Sequence, residues 1–220
     1  MAVSRLGFLL AVTGRQHNPY SGPGKSELST VGPAADASGE KRLMPVPVGA
    51  GSASVFRTKC VGCMKCIEAC PRGILRPSSH PRHFGRPALD FRLGWCRPEC
   101  NRCAEACPAG AIVVTASAAE KAEKHPNIAV WHPERCVAAT GKDVCHACER
   151  HCPVKAITLV EGEKSGGGKS APAETQRRGG GGTDTPKVPR IDAAKCIGCG
   201  ACEHYCPARP KTAMTVEGRE

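Results

Sequence analysis

Cys60-Val-Gly-Cys63-Met-Lys-Cys66-Ile-Glu-Ala-Cys70-Pro71 decides how the rest of the chain is read. Three cysteines stand three residues apart, a fourth follows four residues later, and proline closes the run. The same C-x2-C-x2-C-x3-C-P spacing returns at Cys196, Cys199, Cys202, Cys206 and Pro207. Two looser groups end in the same way: Cys96, Cys100, Cys103, Cys107-Pro108 and Cys136, Cys145, Cys148, Cys152-Pro153. Together the four groups use all 16 cysteines of the 220-residue chain.

A step of three residues lets one tight, partly helical loop present three thiolates to a single cubane, and this run is the bacterial pattern for holding [4Fe-4S] clusters. The fourth cysteine cannot easily reach the same cube. In chains carrying two such clusters it ligates the other one, so that paired motifs interlock. The proline that follows has no N–H and a fixed φ, which stops the turn from running on as helix. Sixteen thiolates match four [4Fe-4S] clusters at four ligands each, and all sixteen are candidate iron ligands.

Other uses of cysteine fit less well. Structural zinc takes two C-x2-C pairs across a longer spacer, not a third cysteine at the same step. Disulfides suit an even count in a short secreted chain, but they do not explain Cys-Pro in four places. No C-x-x-C-H pentad for haem is present. The spacing of Cys96, Cys100 and Cys103 matches that of radical-SAM enzymes, yet Cys107-Pro108 completes this group like its neighbours and the chain has no room for a large barrel.

Aromatic residues make up only 4% of the chain, so the organic core must be small. Clusters would then serve as core, metal binding would supply much of the folding free energy, and the metal-free chain is expected to be largely unfolded. The formal charge of +11 invites a nucleic-acid reading. Each oxidised cubane with its four thiolates contributes about −2, however, which brings the total to roughly +3, and to about −1 when all four are reduced. Apart from the local run at Arg177-Arg178, little basicity is left for nucleic acid.

Residues 14–54 are rich in Gly, Pro, Ser and polar side chains and read, with the preceding residues, as a disordered arm. Strands are expected at 88–91 before the second motif and at 110–114 after it. Others are expected at 128–131, 156–160 and 213–216 around the third and fourth motifs. Residues 118–124 suit a short helix or linker. The repeating unit is strand, cluster loop with short helix, then strand, over roughly 30 to 50 residues. Residues 162–189, with Gly-rich runs at 166–168 and 179–182, form a flexible insertion. In the third motif eight residues separate Cys136 from Cys145, so its cluster is expected to be the most exposed or the most labile.

Residues 56–219 resemble bacterial four-cluster ferredoxins, similar to the ferredoxin-type proteins of the NapG/MauM group and to the polyferredoxin modules of NapH/NosR-like membrane proteins. The resemblance rests on Arg76-Pro77-Ser78, on Ala88-Leu-Asp-Phe-Arg-Leu-Gly-Trp-Cys96 and on Cys196-Ile-Gly-Cys-Gly-Ala-Cys-Glu-His-Tyr-Cys-Pro207. It implies electron transfer through four [4Fe-4S] centres, commonly beside a membrane quinol-linked partner. The expected fold class is α+β: tandem bacterial dicluster ferredoxin-like modules of βαβ type. Their bounds are an arm at 1–54, a first pair of motifs at 55–117 and a second pair at 118–220, with the flexible insertion at 162–189. Adjacent pairing would bind one cube with Cys60, Cys63, Cys66 and Cys107 and the next with Cys96, Cys100, Cys103 and Cys70; Cys152 and Cys206 would be exchanged likewise. A nested pairing of first with fourth and second with third is the alternative. The short gap from Cys70 to Cys96 favours the adjacent one.

The reading is therefore a one-electron relay between a redox protein donor and an acceptor, such as a membrane quinol-linked or reductase complex, and not an enzyme with its own substrate site. Two alternatives stand beside it: an iron–sulfur subunit of a larger oxidoreductase, and a scaffold in which clusters or zinc only staple the fold. No flavin, pterin or nucleotide fingerprint appears. Lys65, Arg102 and Lys195 are candidates for tuning potential or steering a partner, though isolated charges are usually solvated surface. His146 and His204 lie inside motifs whose cysteine quartets are already complete. No stretch of about 20 apolar residues is present, so no transmembrane segment is expected. The run Leu6-Gly-Phe-Leu-Leu-Ala-Val-Thr13 lacks a twin arginine, and reduced thiols suit cytoplasmic assembly. Cytoplasmic residence is expected, with membrane association through a partner; a start that hides an export signal would make it periplasmic.

Overall fold

Cysteine-Pro punctuation every few dozen residues leaves only short elements between the motifs, and short elements are what the computed structural model contains. It describes residues 44–124, 126–162 and 186–218. Among the described residues there are six helices of four to seven residues and six short strands, in the order α1 Ala53–Lys59, α2 Lys65–Ala69, β1 Leu75–Pro77, β2 Pro87–Leu89, α3 Arg102–Glu105, α4 Ala118–Lys124, β3 Asn127–Trp131, α5 Ala147–Arg150, β4 Ile157–Glu161, β5 Lys187–Ile191, α6 Ala201–His204 and β6 Met214–Gly218. Among the described residues no helix is long and apolar enough to cross a membrane.

The strands form three antiparallel pairs, β1 with β2, β3 with β6 and β4 with β5. In the second half, β3 leads into the third motif and β6 leaves the fourth. Ala129 faces Val216 and Trp131 faces Met214, which closes that half on itself. The middle pair β4–β5 places Leu159 opposite Pro189. Proline is tolerated there because the pair is not hydrogen-bonded: Leu159 N–H points out of the ladder and donates to Glu149 Oε1 in α5 at 3.1 Å, so no ladder bond calls on a Pro189 N–H. The fourth motif uses the same device, Val216 N–H donating to Glu203 Oε2 in α6 at 2.7 Å. In both cases a glutamate directly after the third cysteine ties its cluster helix to the following strand.

Three expectations about organisation change. The arm expected at 1–54 lies outside the described residues only as far as 43; residues 45–50 are buried, and α1 begins inside the same stretch. Ser52 caps α1 by accepting Val55 N–H at 3.1 Å, and Phe56 turns into the core at 2% exposure. The strand expected at 110–114 does not form. Its neighbour is the segment 45–49, in which Pro45 and Pro47 have no N–H to donate, and the two are joined through Val113 N–H to the Gly49 carbonyl at 2.9 Å. The insertion expected at 162–189 lies largely outside the described residues, but 187–189 belong to β5, held by pairing with β4.

The helix α4 occurs as expected. Ser117 Oγ accepts Glu120 N–H at 3.1 Å while Glu120 Oε2 accepts Ala116 N–H at 2.7 Å, a reciprocal cap. The apolar core is small and runs through both halves. Phe56, Ile74, Phe91, Ile157, Met214 and Val216 share one cluster with Cys66, Cys196 and Cys202. Asn127, fully buried in β3, clamps the leading segment to the second half: its Nδ2 donates to the Val46 carbonyl at 2.8 Å and its Oδ1 accepts Val46 N–H at 3.0 Å.

Candidate metal centres

Each short cluster helix follows a loop that carries its motif's leading cysteines, and each ends where the Cys-Pro step forbids another turn. The helices then pack in pairs, α2 against α3 and α5 against α6. That packing brings the fourth cysteine of one motif beside the first three of its neighbour. One hollow of about 320 Å³ is lined by Cys60, Cys63, Cys66 and Cys107. A second, of about 300 Å³, is lined by Cys152, Cys196, Cys199 and Cys202. A third, of about 380 Å³, is lined by Cys136, Cys145, Cys148 and Cys206. The remaining four, Cys70, Cys96, Cys100 and Cys103, act on one another electrostatically: Cys70 and Cys100 on Cys103, and Cys103 and Cys100 on Cys96. The grouping is that of adjacent pairing, with the fourth cysteine exchanged both ways.

The donor sets fit [4Fe-4S] groups on three counts. Each quartet is four thiols, the ligand number a cubane takes. Three of the quartets line hollows of about 320, 300 and 380 Å³, room for a group larger than a single ion. The surroundings also offer donors to sulfur. Ala111 N–H donates to Cys107 Sγ at 3.3 Å, Ala156 N–H to Cys152 Sγ at 3.2 Å and Ala213 N–H to Cys206 Sγ at 3.3 Å. All three acceptors are exchanged fourth cysteines. The indole Nε1 of Trp131, which lines the third hollow, is buried without a hydrogen-bond partner.

Six of the thiols are made poor anions by burial. Burial pushes Cys66, Cys148 and Cys199 up to about 12 and Cys103 up to about 11. Burial raises Cys96 and Cys202 as well. Neighbouring thiols add to every one of these shifts. Four close thiolates in an apolar hollow are unfavourable unless a cationic group compensates them.

Exposure follows another order than the one expected. Cys63 is the exposed thiol among the sixteen, those of the third motif are half-buried, and all four of the fourth are buried. The long spacer of the third motif does not leave its thiols open because it folds on itself. Thr140 N–H and Oγ1–H both donate to the Cys136 carbonyl at 2.9 Å, and Lys142 N–H donates to the Val137 carbonyl at 2.9 Å.

Lys65 and Arg102 are exposed, and Lys195 is exposed in an ion pair with Asp192 at 3.0 Å. His146 is exposed. His204 instead works at the contact between the halves, where its Nδ1 donates to the Phe91 carbonyl at 2.9 Å. Next to it, Cys96 N–H donates to the Cys199 carbonyl at 2.8 Å, and Trp95 packs on Ile197 and Ala201. The second and fourth motifs therefore abut. Two features escaped the sequence: this junction, and Lys121, a lysine buried against the second motif. Nothing in the spacing marked Lys121.

The 4Fe-4S dicluster domain matches this chain in three overlapping stretches, residues 59–111, 95–156 and 142–209. Among curated proteins, the methylamine utilization ferredoxin-type protein MauM of Methylophilus methylotrophus is 32% identical over 166 residues, 73% of this chain and 65% of that protein. The MauM of Methylobacillus flagellatus is also 32% identical, over 73% of this chain and 62% of its own. The ferredoxin-type protein NapG of Haemophilus influenzae is 30% identical, over 73% of this chain and 53% of its own. The chain thus spans less than two thirds of the length of these relatives.

Proposed function

The chain belongs to the 4Fe-4S dicluster family of ferredoxin-type proteins, similar to MauM and NapG, and from that membership we propose that it relays single electrons through four [4Fe-4S] centres between two redox partners. The proposed ligands are Cys60, Cys63, Cys66 and Cys107; Cys70, Cys96, Cys100 and Cys103; Cys152, Cys196, Cys199 and Cys202; and Cys136, Cys145, Cys148 and Cys206. When bound, a [4Fe-4S] group accepts and releases one electron at a potential set by its hydrogen bonds, burial and local charge.

The carrying observation is the exchange of fourth cysteines, which forces the two sites of each half into contact. Cys66 feels Cys103 as well as the thiols of its own quartet. The halves in turn meet through the Cys96–Cys199 peptide contact. These contacts support an order of sites that runs first motif, second, fourth, third. Exposed Cys63 at one end marks where an electron can enter or leave with least intervening protein. The described residues surround the thiols, keep water from the buried fourth motif and donate N–H groups to sulfur, which suits a carrier or an electron-transfer subunit.

Coulometric reduction of the anaerobic protein tests this. About four electrons per chain in one-electron steps, with magnetically interacting EPR signals, is the expected result. Centres that stay silent over the accessible range would make the cysteines structural staples.

A further inference from the structure

Burying an ammonium ion costs several kcal/mol unless something negative compensates it. Among the described residues Lys121 is the charged side chain found in the buried core, at 2% exposure. It reaches out of α4 into the loop of the second motif, where Nζ donates to the Pro98 carbonyl at 2.6 Å and to the Cys100 carbonyl at 2.8 Å. Two neutral carbonyls satisfy hydrogen bonds but not charge. Its field falls on Cys96 and Cys103, lowering both against the effect of burial. The other three quartets have no buried cation among the described residues.

We infer that Lys121 is a positioning residue whose buried charge raises the reduction potential of the centre held by Cys70, Cys96, Cys100 and Cys103. The inference rests on the relay reading. An oxidised centre with four thiolates carries about −2 and the reduced one about −3, so a fixed neighbouring cation stabilises the reduced form more. That centre sits where the halves meet, through Cys96 and Cys199. Lys121 therefore makes the junction a resting place for the electron between the two halves. Its two hydrogen bonds also brace the loop between Cys96 and Cys103.

Lys121→Met and Lys121→Gln, purified anaerobically with iron measured, separate charge from bracing, since glutamine keeps a donor and loses the charge. In an EPR-monitored potentiometric titration both variants are expected to lower the reduced-to-oxidised ratio of one centre at least tenfold at fixed potential, which is about 59 mV for a one-electron couple. The affected signal is the one that Cys103→Ser abolishes, and the other three stay in place. Unchanged midpoints in Lys121→Gln with full iron would overturn the inference and leave Lys121 a brace. If both variants lose iron, Lys121→Arg decides: a midpoint close to that of the unaltered chain supports the charge, and one displaced downward refutes it. Failure of the relay reading looks different, because the unaltered chain would then show no reducible centre.

Discussion

Gly200→Ala tests the junction between the halves. Gly200 precedes α6 with φ 81, and a Cβ there would stand 1.9 Å from Phe91 Cδ1, 2.2 Å from Cε1 and 2.3 Å from Cγ. Phe91 is 3% exposed and cannot swing away. The left-handed backbone alone costs an alanine about 1–2 kcal/mol. Forcing a methyl into a packed ring adds about 1–3 kcal/mol. Gly73→Ala is the control: its φ is 62 and nothing lies within 4 Å of the added methyl, so only the first cost applies. The difference between the two variants, about 1–3 kcal/mol, corresponds to roughly 5- to 150-fold in rate. The assay is loss of cluster absorbance in anaerobic denaturant, with EPR of the reduced protein as a second readout. Gly200→Ala should bleach faster than Gly73→Ala by that factor and should weaken the magnetic interaction between the second- and fourth-motif centres. Equal rates within twofold and an unchanged interaction would refute the junction.

Exchange of the fourth cysteines makes a second expectation specific. Cys206→Ser should remove or convert the centre of the third motif and spare that of the fourth, while Cys152→Ser does the reverse; Mössbauer or EPR spectra combined with Cys145→Ser and Cys199→Ser identify which signal is lost. Asn127→Ala removes both hydrogen bonds to Val46 in a fully buried place. At about 1–3 kcal/mol for each group so stranded, it should lower the denaturation midpoint markedly, whereas an exposed change such as Glu123→Ala should leave it unmoved.

The grouping of the first three cysteines of each motif was legible because their spacing is a local, covalent fact. A C-x2-C-x2-C step confines three thiols to one loop, and proline fixes where the loop ends, whatever the rest of the fold does. Which motif receives each fourth cysteine was not fixed by that spacing: adjacent and nested pairing both fitted until the helices packed α2 on α3 and α5 on α6. Places where partners come from far along the chain were not legible either. Val113 and Val114 have strand-forming side chains, but the opposing segment brings Pro45 and Pro47, and the ladder cannot form. Lys121 reads as one more lysine in a polar helix until the loop at Pro98 and Cys100, over 20 residues earlier, folds across its Nζ. Ser52 and Phe56 did carry a cap and an anchor for α1, outweighed by the Gly- and Pro-rich composition before them. Phe91 against Gly200 depends on how two halves dock, which no local pattern encodes.

Iron and acid-labile sulfide per chain after anaerobic purification test the central claim most directly. The account predicts about sixteen of each, four for every quartet of thiols. Zinc in place of iron, or about eight of each in a fully folded chain, would contradict it.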